Sequence, residues 1–173
     1  EDLSKILTDL GLEIGGVKKR ESIKGGLAGL IIGEVVEKVQ HPNADKLSCT
    51  KVNVGGDALL SIVCGAPNVE AGQKVVVATI GTTLYTADDS FKIKKSKLRG
   101  ELSEGMLCGE DEVGLGNSHD GIMVLAADVP IGTLAKDYFK VEEDFILDVD
   151  ITPNRADALS HCGVARDLAA YYQ

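Results

Sequence analysis

The sequence has no tryptophan and few aromatic residues, and this scarcity limits how it could recognise a ligand. Aromatic side chains make up 4% of the 173 residues. Proteins that bind single-stranded nucleic acid usually stack bases on aromatic rings, so such a platform is not expected. Lys and Arg number 18 against 27 Asp and Glu, which leaves a formal net charge of −9. Non-specific binding to phosphates is therefore disfavoured, and any nucleic-acid contact must come from a local patch.

Several motifs that carry chemistry are also missing. The four cysteines are widely spaced without a C-x-x-C pair, which argues against structural zinc and favours reduced, buried thiols in a cytosolic protein. There is no apolar run of membrane-spanning length, no signal peptide, no P-loop and no metal-ligand cluster. We therefore expect no catalytic residue, cofactor or metal in this chain and no membrane partner. Because the chain begins with Glu1 and not with Met, we interpret it as a piece of a longer protein.

The middle of the chain predicts a β-barrel. Short β-branched and apolar runs alternate with segments rich in Gly, Asn and Pro; the runs are 31–39, 47–54, 58–64, 74–80, 91–94, 122–125 and 145–149. Strands at this spacing indicate a closed or nearly closed antiparallel barrel of the OB type. Short helices are expected near Glu110–Val113 and Thr133–Phe139.

The two ends of the chain predict helices. Leu3, Ile6, Leu7 and Leu10 form one face of a short amphipathic helix, and Ser160 can cap a second helix at the other end. Residues 13–29 hold five glycines and a basic run, and they are interpreted as a loop or connector. The fold class is therefore α+β, with the barrel inserted between terminal helical segments that pack together. The predicted domain limits are 1–27, 28–147 and 148–173.

One basic cluster stands out against the acidic background. The segment Lys92–Arg99 holds five of the 18 basic residues, within a module (residues 28–147) of eleven basic and eighteen acidic residues. The cluster is compatible with a phosphate contact, and equally with a lysine-rich strand edge that prevents aggregation. The residues alone do not decide between these interpretations.

Two further segments are candidates for a ligand contact. His41–Leu47 would border the binding face of an OB barrel, although turn statistics favour a plain shaped turn, and a lone histidine such as His41 is more often a structural hydrogen-bonder. Ser103–Cys108 would allow close backbone approach, but its apolar side chains are expected in the core. His119, Asp120, Asp148 and Asp150 have no spacing that supports an acid–base site.

The motifs resemble a known family. Four motifs together resemble the tRNA-binding OB domain found in several synthetase-associated proteins; they are His41–Leu47, Ile62–Val69, Lys92–Gly100 and Ser103–Cys108. Three further segments resemble the beta subunits of bacterial phenylalanine–tRNA ligases; they are Leu7–Glu13 near the start of the chain, Asp150–Ser160 and Gly163–Asp167. Ala156 stands where that family usually has proline.

The resemblance implies an accessory part of a larger cytoplasmic enzyme. Such ligases are heterotetramers of two alpha and two beta subunits that join phenylalanine to tRNA with ATP and magnesium. The alpha subunit carries the aminoacylation site, and the editing and magnesium regions of beta lie further along its chain. The resemblance implies that tRNA contacts this chain through its basic residues, which we expect to be Lys46, Lys51, Lys92, Lys94, Lys95, Lys97 and Arg99.

Two alternatives remain open. The OB domain could serve only in subunit assembly, with its RNA-facing surface unused. The chain could also be a free-standing tRNA-binding chaperone, although such a protein would not need the segment Asp150–Asp167.

Overall fold

The computed structural model describes residues 2–86 and 89–173. It divides into two compact units, one formed by residues 1–20 with 143–173 and the other by residues 21–142. The domain limits expected from sequence, 27/28 and 147/148, stay a prediction. In chain order the elements are α1 Leu3–Asp9, β1 Glu13–Glu21, β2 Leu30–Gln40, β3 Ser48–Asn53, β4 Leu60–Cys64, β5 Lys74–Thr79, β6 Thr83–Tyr85, β7 Ser90–Lys92, β8 Ser96–Leu98, β9 Glu101–Ser103, β10 Gly105–Leu107, α2 Glu110–Val113, β11 Val124–Leu125, α3 Ala135–Tyr138, β12 Glu143–Asp150 and α4 His161–Tyr171.

The larger unit is built on an antiparallel sheet with the order β10-β5-β2-β3-β4, and β11 also pairs with β5. Strand β2 pairs with β5 through Leu30–Glu34 and with β3 through Glu34–Gln40. The register with β3 shifts between Val35 and Glu37, and such an irregularity bends a strand. This long, bent strand allows the sheet to curve into a nearly closed barrel. The expected α+β fold with an OB-type barrel is confirmed.

Strand β5 is buried on both faces, which explains its continuous apolar run. Val76 and Ala78 belong to one hydrophobic cluster, while Val75 and Val77 belong to another. Because successive side chains of a strand point to opposite faces, the two clusters lie on opposite sides of β5. The barrel interior and the layer outside it therefore share this strand. The two short predicted helices are also confirmed, as α2 and α3.

The smaller unit brings together both ends of the chain. Strands β1 and β12 form a two-stranded sheet, and Leu7, Leu12 and Ala158 are the buried centre of its hydrophobic cluster. Helix α4 begins as expected, since the Ser160 hydroxyl accepts a hydrogen bond from the Gly163 N–H at 3.2 Å. Helix α1 is capped by Asp2, which accepts from the Ser4 N–H.

Two expectations about strands are wrong. Residues 13–21 are a strand and not part of a loop, and the run 145–149 lies in β12, which pairs with β1 and not with the barrel. A Cβ added at Gly15 would lie 2.8 Å from a carboxylate oxygen of Asp150 and 3.9 Å from the Asp148 carbonyl oxygen, so this glycine lies against β12. Alternation identifies a strand but does not identify its partner.

Arg155 joins segments from both ends of the chain within the smaller unit. Its Nη1 donates to the Leu10 carbonyl at 3.0 Å, and its Nε and Nη2 each donate to Asp157 at 3.2 Å. Nη2 also donates to the carboxylate of Asp167, on helix α4. The guanidinium holds the pKa of the Asp157 carboxyl below its usual value, chiefly by hydrogen bonding. The motif around Arg155 therefore has a structural role in this unit.

Arg155→Lys should lower the melting temperature because an ammonium cannot reproduce the planar fork of a guanidinium. The folded pKa of Asp157 is depressed, so its contribution is present above its unfolded pKa of about 4 and is lost as the pH falls through the lower folded value. The difference between the two proteins in thermal unfolding, followed by circular dichroism, should therefore shrink at acid pH. Arg20→Lys is the matched control, and an equal effect there would contradict the role of Arg155.

Gly33→Ala should destabilise the barrel. The added carbon would lie 2.9 Å from the Asn53 carbonyl oxygen and from a Val77 methyl group. Overpacking of this kind costs about 1–3 kcal/mol, which denaturant unfolding would measure. Gly56→Ala is the control, because no atom lies within 4 Å of the position of its added carbon. Equal stabilities of the two variants would show that β2 and β3 do not pack this closely.

Candidate nucleic-acid interface

The basic cluster folds into a ribbon on the larger unit. We call Lys92–Arg99 the basic ribbon; it contains the end of β7 and all of β8. Strand β8 pairs with β9 in a tight hairpin, with Leu98 opposite Glu101. The two turn residues, Arg99 and Gly100, have φ angles of 49° and 102°. Positive φ at both positions is typical of a type I′ turn, which places Arg99 exposed at the tip of the hairpin.

The pleat divides the basic side chains between two surfaces. Lys92, Lys94, Ser96 and Leu98 line one cleft. Lys97 lies between Ser96 and Leu98 in β8, so it points to the opposite face of the ribbon. The cluster that is contiguous in sequence is therefore not one continuous patch in space.

Lys95 is partly neutralised by an acidic neighbour. Its Nζ lies 2.8 Å from Oε1 of Glu104, whose other oxygen lies 3.5 Å from the Ser61 backbone nitrogen. The hydrogen bond from Lys95 lowers the pKa of Glu104, so the carboxylate stays charged. Lys51 lies close by, since its Nζ donates to the Ser61 hydroxyl at 2.8 Å.

The remaining predicted residues are unpaired in the part of the chain that the structure describes. Within residues 2–86 and 89–173 their side chains are exposed and form no ion pair; they are Lys46, Lys92, Lys94, Lys97 and Arg99. An exposed cation without a protein carboxylate keeps its full charge for a phosphate. These five residues differ in this respect from Lys51 and Lys95, which have protein partners.

The cleft beside the ribbon is lined by residues of both charges. Its volume is about 520 Å³, and its lining includes Asp111, His119 and Asp120 as well as Lys92 and Lys94. His119 Nδ1 lies 2.6 Å from Asp111 Oδ2, and this hydrogen bond raises the pKa of the imidazole. The sequence offered no signal for the His119 pair, because its two members are separated along the chain and only the fold brings them together.

The cleft also brings two of the motif segments together. Gly65–Pro67 and Gly105–Leu107 both line it beside the ribbon. Ser103 is buried and structural: its hydroxyl accepts from the Val63 N–H at 3.2 Å and donates to the Gly105 carbonyl at 3.0 Å. Leu107 and Cys108 enter the core, as expected. Burial raises the pKa of the Cys108 thiol to about 12, which makes it unreactive.

His41 connects its own loop to the tip of the basic hairpin. The side chain is 2% exposed, and its Nδ1 accepts from the Asn43 N–H at 3.0 Å. Nε2 lies 3.0 Å from the carbonyl oxygen of Leu98, and Asn43 Nδ2 lies 3.4 Å from that of Arg99. Gln40 secures the loop further by donating to three of its carbonyls. The interpretation of His41 as a structural hydrogen-bonder is confirmed.

Other chemistry finds little support in the described residues. Asp148 and Asp150 belong to the smaller unit, whereas His119 and Asp120 belong to the larger one. In residues 2–86 and 89–173, no three His, Cys, Asp or Glu side chains are arranged to hold a metal ion. Over the same ranges, no helix is both long and apolar enough for a membrane crossing. The four cysteines are free thiols.

Comparison with known proteins identifies the barrel. A family model described as a putative tRNA binding domain matches residues 30–134. The chain belongs to this family. The matched region contains the barrel sheet, the His41 loop, the basic ribbon and the cleft.

Relatives match the chain from end to end. It is 62% identical over 171 residues to the phenylalanine–tRNA ligase beta subunit of Bacteroides fragilis, 59% over 170 residues to that of Porphyromonas gingivalis and 55% over 173 residues to that of Pectobacterium atrosepticum. These alignments cover 99%, 98% and 100% of this chain but 21% of each relative, so the chain spans about a fifth of their length. The resemblance predicted from the motifs is confirmed.

Among solved structures, the C-terminal domain of Plasmodium vivax p43 is similar to part of the chain. The identity is 27% and the TM-score 0.42, over 60% of this chain and 56% of that one.

Proposed function

We propose that this chain is a non-catalytic tRNA-binding region of a phenylalanine–tRNA ligase beta subunit. The observation that carries the proposal is the match of residues 30–134 to a tRNA-binding family, in a chain similar over its whole length to such subunits. Both end segments are included in that similarity. A free-standing chaperone is therefore the weaker alternative.

We assign the RNA contact to the basic ribbon and its neighbours. The residues that would contact phosphates directly are Lys46, Lys92, Lys94, Lys97 and Arg99. Lys51 and Lys95 would contribute less because they already have protein partners. Because the net charge is −9, the chain repels those parts of a polyanion that do not contact the basic ribbon or its neighbours. Binding should therefore be weak and strongly dependent on salt.

The chemistry of the parent enzyme would take place outside this chain. If the chain belongs to such a ligase, the parent enzyme activates phenylalanine with ATP and magnesium. Its partners would then be an alpha subunit and a second beta subunit, and its location would be the cytoplasm. The smaller unit, held together by Arg155, would then serve packing and assembly.

The assembly-only alternative is supported by one observation. The cleft lined by Lys92 and Lys94 is also lined by Asp111 and Asp120, which would repel a phosphate backbone. If this repulsion dominates, the barrel contributes only protein contacts to the subunit.

Removing three ribbon charges should separate these alternatives. The variant Lys94→Gln, Lys97→Gln and Arg99→Gln should bind labelled tRNA at least tenfold more weakly than the native 173-residue chain at low salt. The slope of log affinity against log salt should also fall by about two, since each lost phosphate contact removes about 0.7–0.9 from it.

The control removes three exposed cations elsewhere, with Lys18→Gln, Lys136→Gln and Lys140→Gln. It lowers the total charge equally but should leave most of the affinity intact. If both triple variants bind alike, general charge explains the binding. If the ribbon variant binds like the native chain, or the native chain does not bind, assembly is the better account.

Glu104→Gln should strengthen tRNA binding by about two- to fivefold, the scale of an exposed ion pair, because Lys95 would then be available to a phosphate. In that background Lys95→Gln should weaken binding more than it does in the native chain. Glu70→Gln, which breaks the ion pair with Lys38 in the same unit, is the matched control. Equal effects of Glu104→Gln and Glu70→Gln on affinity would contradict the specific role of Lys95.

A further inference from the structure

We propose that His41 is a positioning residue, which fixes the tip of the basic hairpin and thereby the place where Arg99 meets its ligand. The binding part of this inference rests on the proposed function. The structural part, that His41 orders the turn at Arg99 and Gly100, stands on the geometry alone.

The hydrogen bonds of His41 define its protonation state. Nδ1 accepts from the Asn43 N–H, so this nitrogen carries no proton. The proton of the neutral ring must therefore be on Nε2, which donates to the Leu98 carbonyl. One imidazole thus satisfies an N–H of its own loop and a carbonyl 57 residues further along the chain.

Few other side-chain hydrogen bonds among the described residues connect the hairpin to the barrel. Strands β8 and β9 have three residues each, and hairpins this short are marginal on their own. At the base, Ser103 bonds the Val63 N–H and Glu104 approaches Ser61, but these contacts lie beyond the turn. At the tip, Leu98 is 42% exposed, and among the described residues the side-chain hydrogen bonds to the carbonyls of Leu98 and Arg99 come from His41 and Asn43. After the turn, Glu101 and Leu102 line a cleft with residues of β3 and β4.

A fixed tip matters for binding because less conformational freedom is then lost when the ligand binds. Arg99 and Lys46 lie on the two segments that His41 ties together. Holding both cations in one arrangement before binding lowers the entropy cost of contacting two phosphates. Without the tie, the same charges would be present but would have to be ordered by the ligand.

Substitution of His41 by asparagine or by glutamine tests its two hydrogen bonds independently. The amide oxygen of asparagine can replace Nδ1 and accept from the Asn43 N–H, but it is too short to reach Leu98. The amide nitrogen of glutamine can replace Nε2 as the donor to the Leu98 carbonyl. His41→Asn therefore keeps the bond within the loop and removes the tie, whereas His41→Gln keeps the tie.

The experiment combines hydrogen exchange with tRNA binding in the 173-residue chain. His41→Asn should speed amide exchange across 96–103 and weaken tRNA binding by about fivefold, the worth of one hydrogen bond. It should also lower the salt slope, because the contact of Arg99 is lost. His41→Gln should restore exchange and affinity to within about twofold of the native chain. In the native protein, imidazole nitrogen shifts should report a neutral ring protonated at Nε2.

Val52→Ala is the control for a general loss of stability, because Val52 is fully buried in a hydrophobic cluster that contains no residue of the basic ribbon or of the hairpin. It should lower the melting temperature without changing the affinity. Equal affinity of His41→Asn and the native chain would overturn the positioning role, as would equal behaviour of the Asn and Gln variants. If the native chain binds no tRNA, the proposed function fails, and unchanged exchange in His41→Asn would separately overturn the ordering of the turn.

Discussion

The architecture depends on strand β2 being hydrogen-bonded along both edges. One strand pairs with β5 through its first half and with β3 through its second half, with an irregularity between Val35 and Glu37. This arrangement curves the sheet and also determines where β2 ends. The residue after Gln40 is His41, so the end of the barrel's central strand lies under the tip of the basic hairpin. The ribbon is thus positioned by the barrel without belonging to its main sheet.

Charge distribution limits what this surface can do. A protein with a net charge of −9 cannot rely on its total field to attract a polyanion, so each unpaired cation matters. Lys94 lines the cleft, the pleat of β8 points Lys97 to the opposite face, and Glu104 neutralises Lys95. A ribbon with five basic residues therefore presents fewer unpaired positive charges at any one surface. If tRNA binds there as we propose, this arrangement favours a weak contact that depends on salt.

Much of the fold could be predicted because its signals are local. Short alternating runs indicated the barrel strands, and Ser160 indicated the start of α4. The pairing of β1 with β12 could not be predicted, since the glycines of β1 look like loop residues and its partner strand lies more than 120 residues further along the chain. At the site, the basic residues were visible in sequence. Their division between faces, and the tie from His41 to Leu98, depend on contacts between distant segments.

The proposed function and the role of His41 both require that tRNA contacts the basic ribbon and the His41 loop. Photo-crosslinking of tRNA to the 173-residue chain, followed by peptide mapping, would locate this contact. We expect crosslinks within Lys92–Arg99 and His41–Lys51 that disappear as the salt concentration rises. Crosslinks confined to residues 1–20 or 143–173, with none in the ribbon, would contradict it.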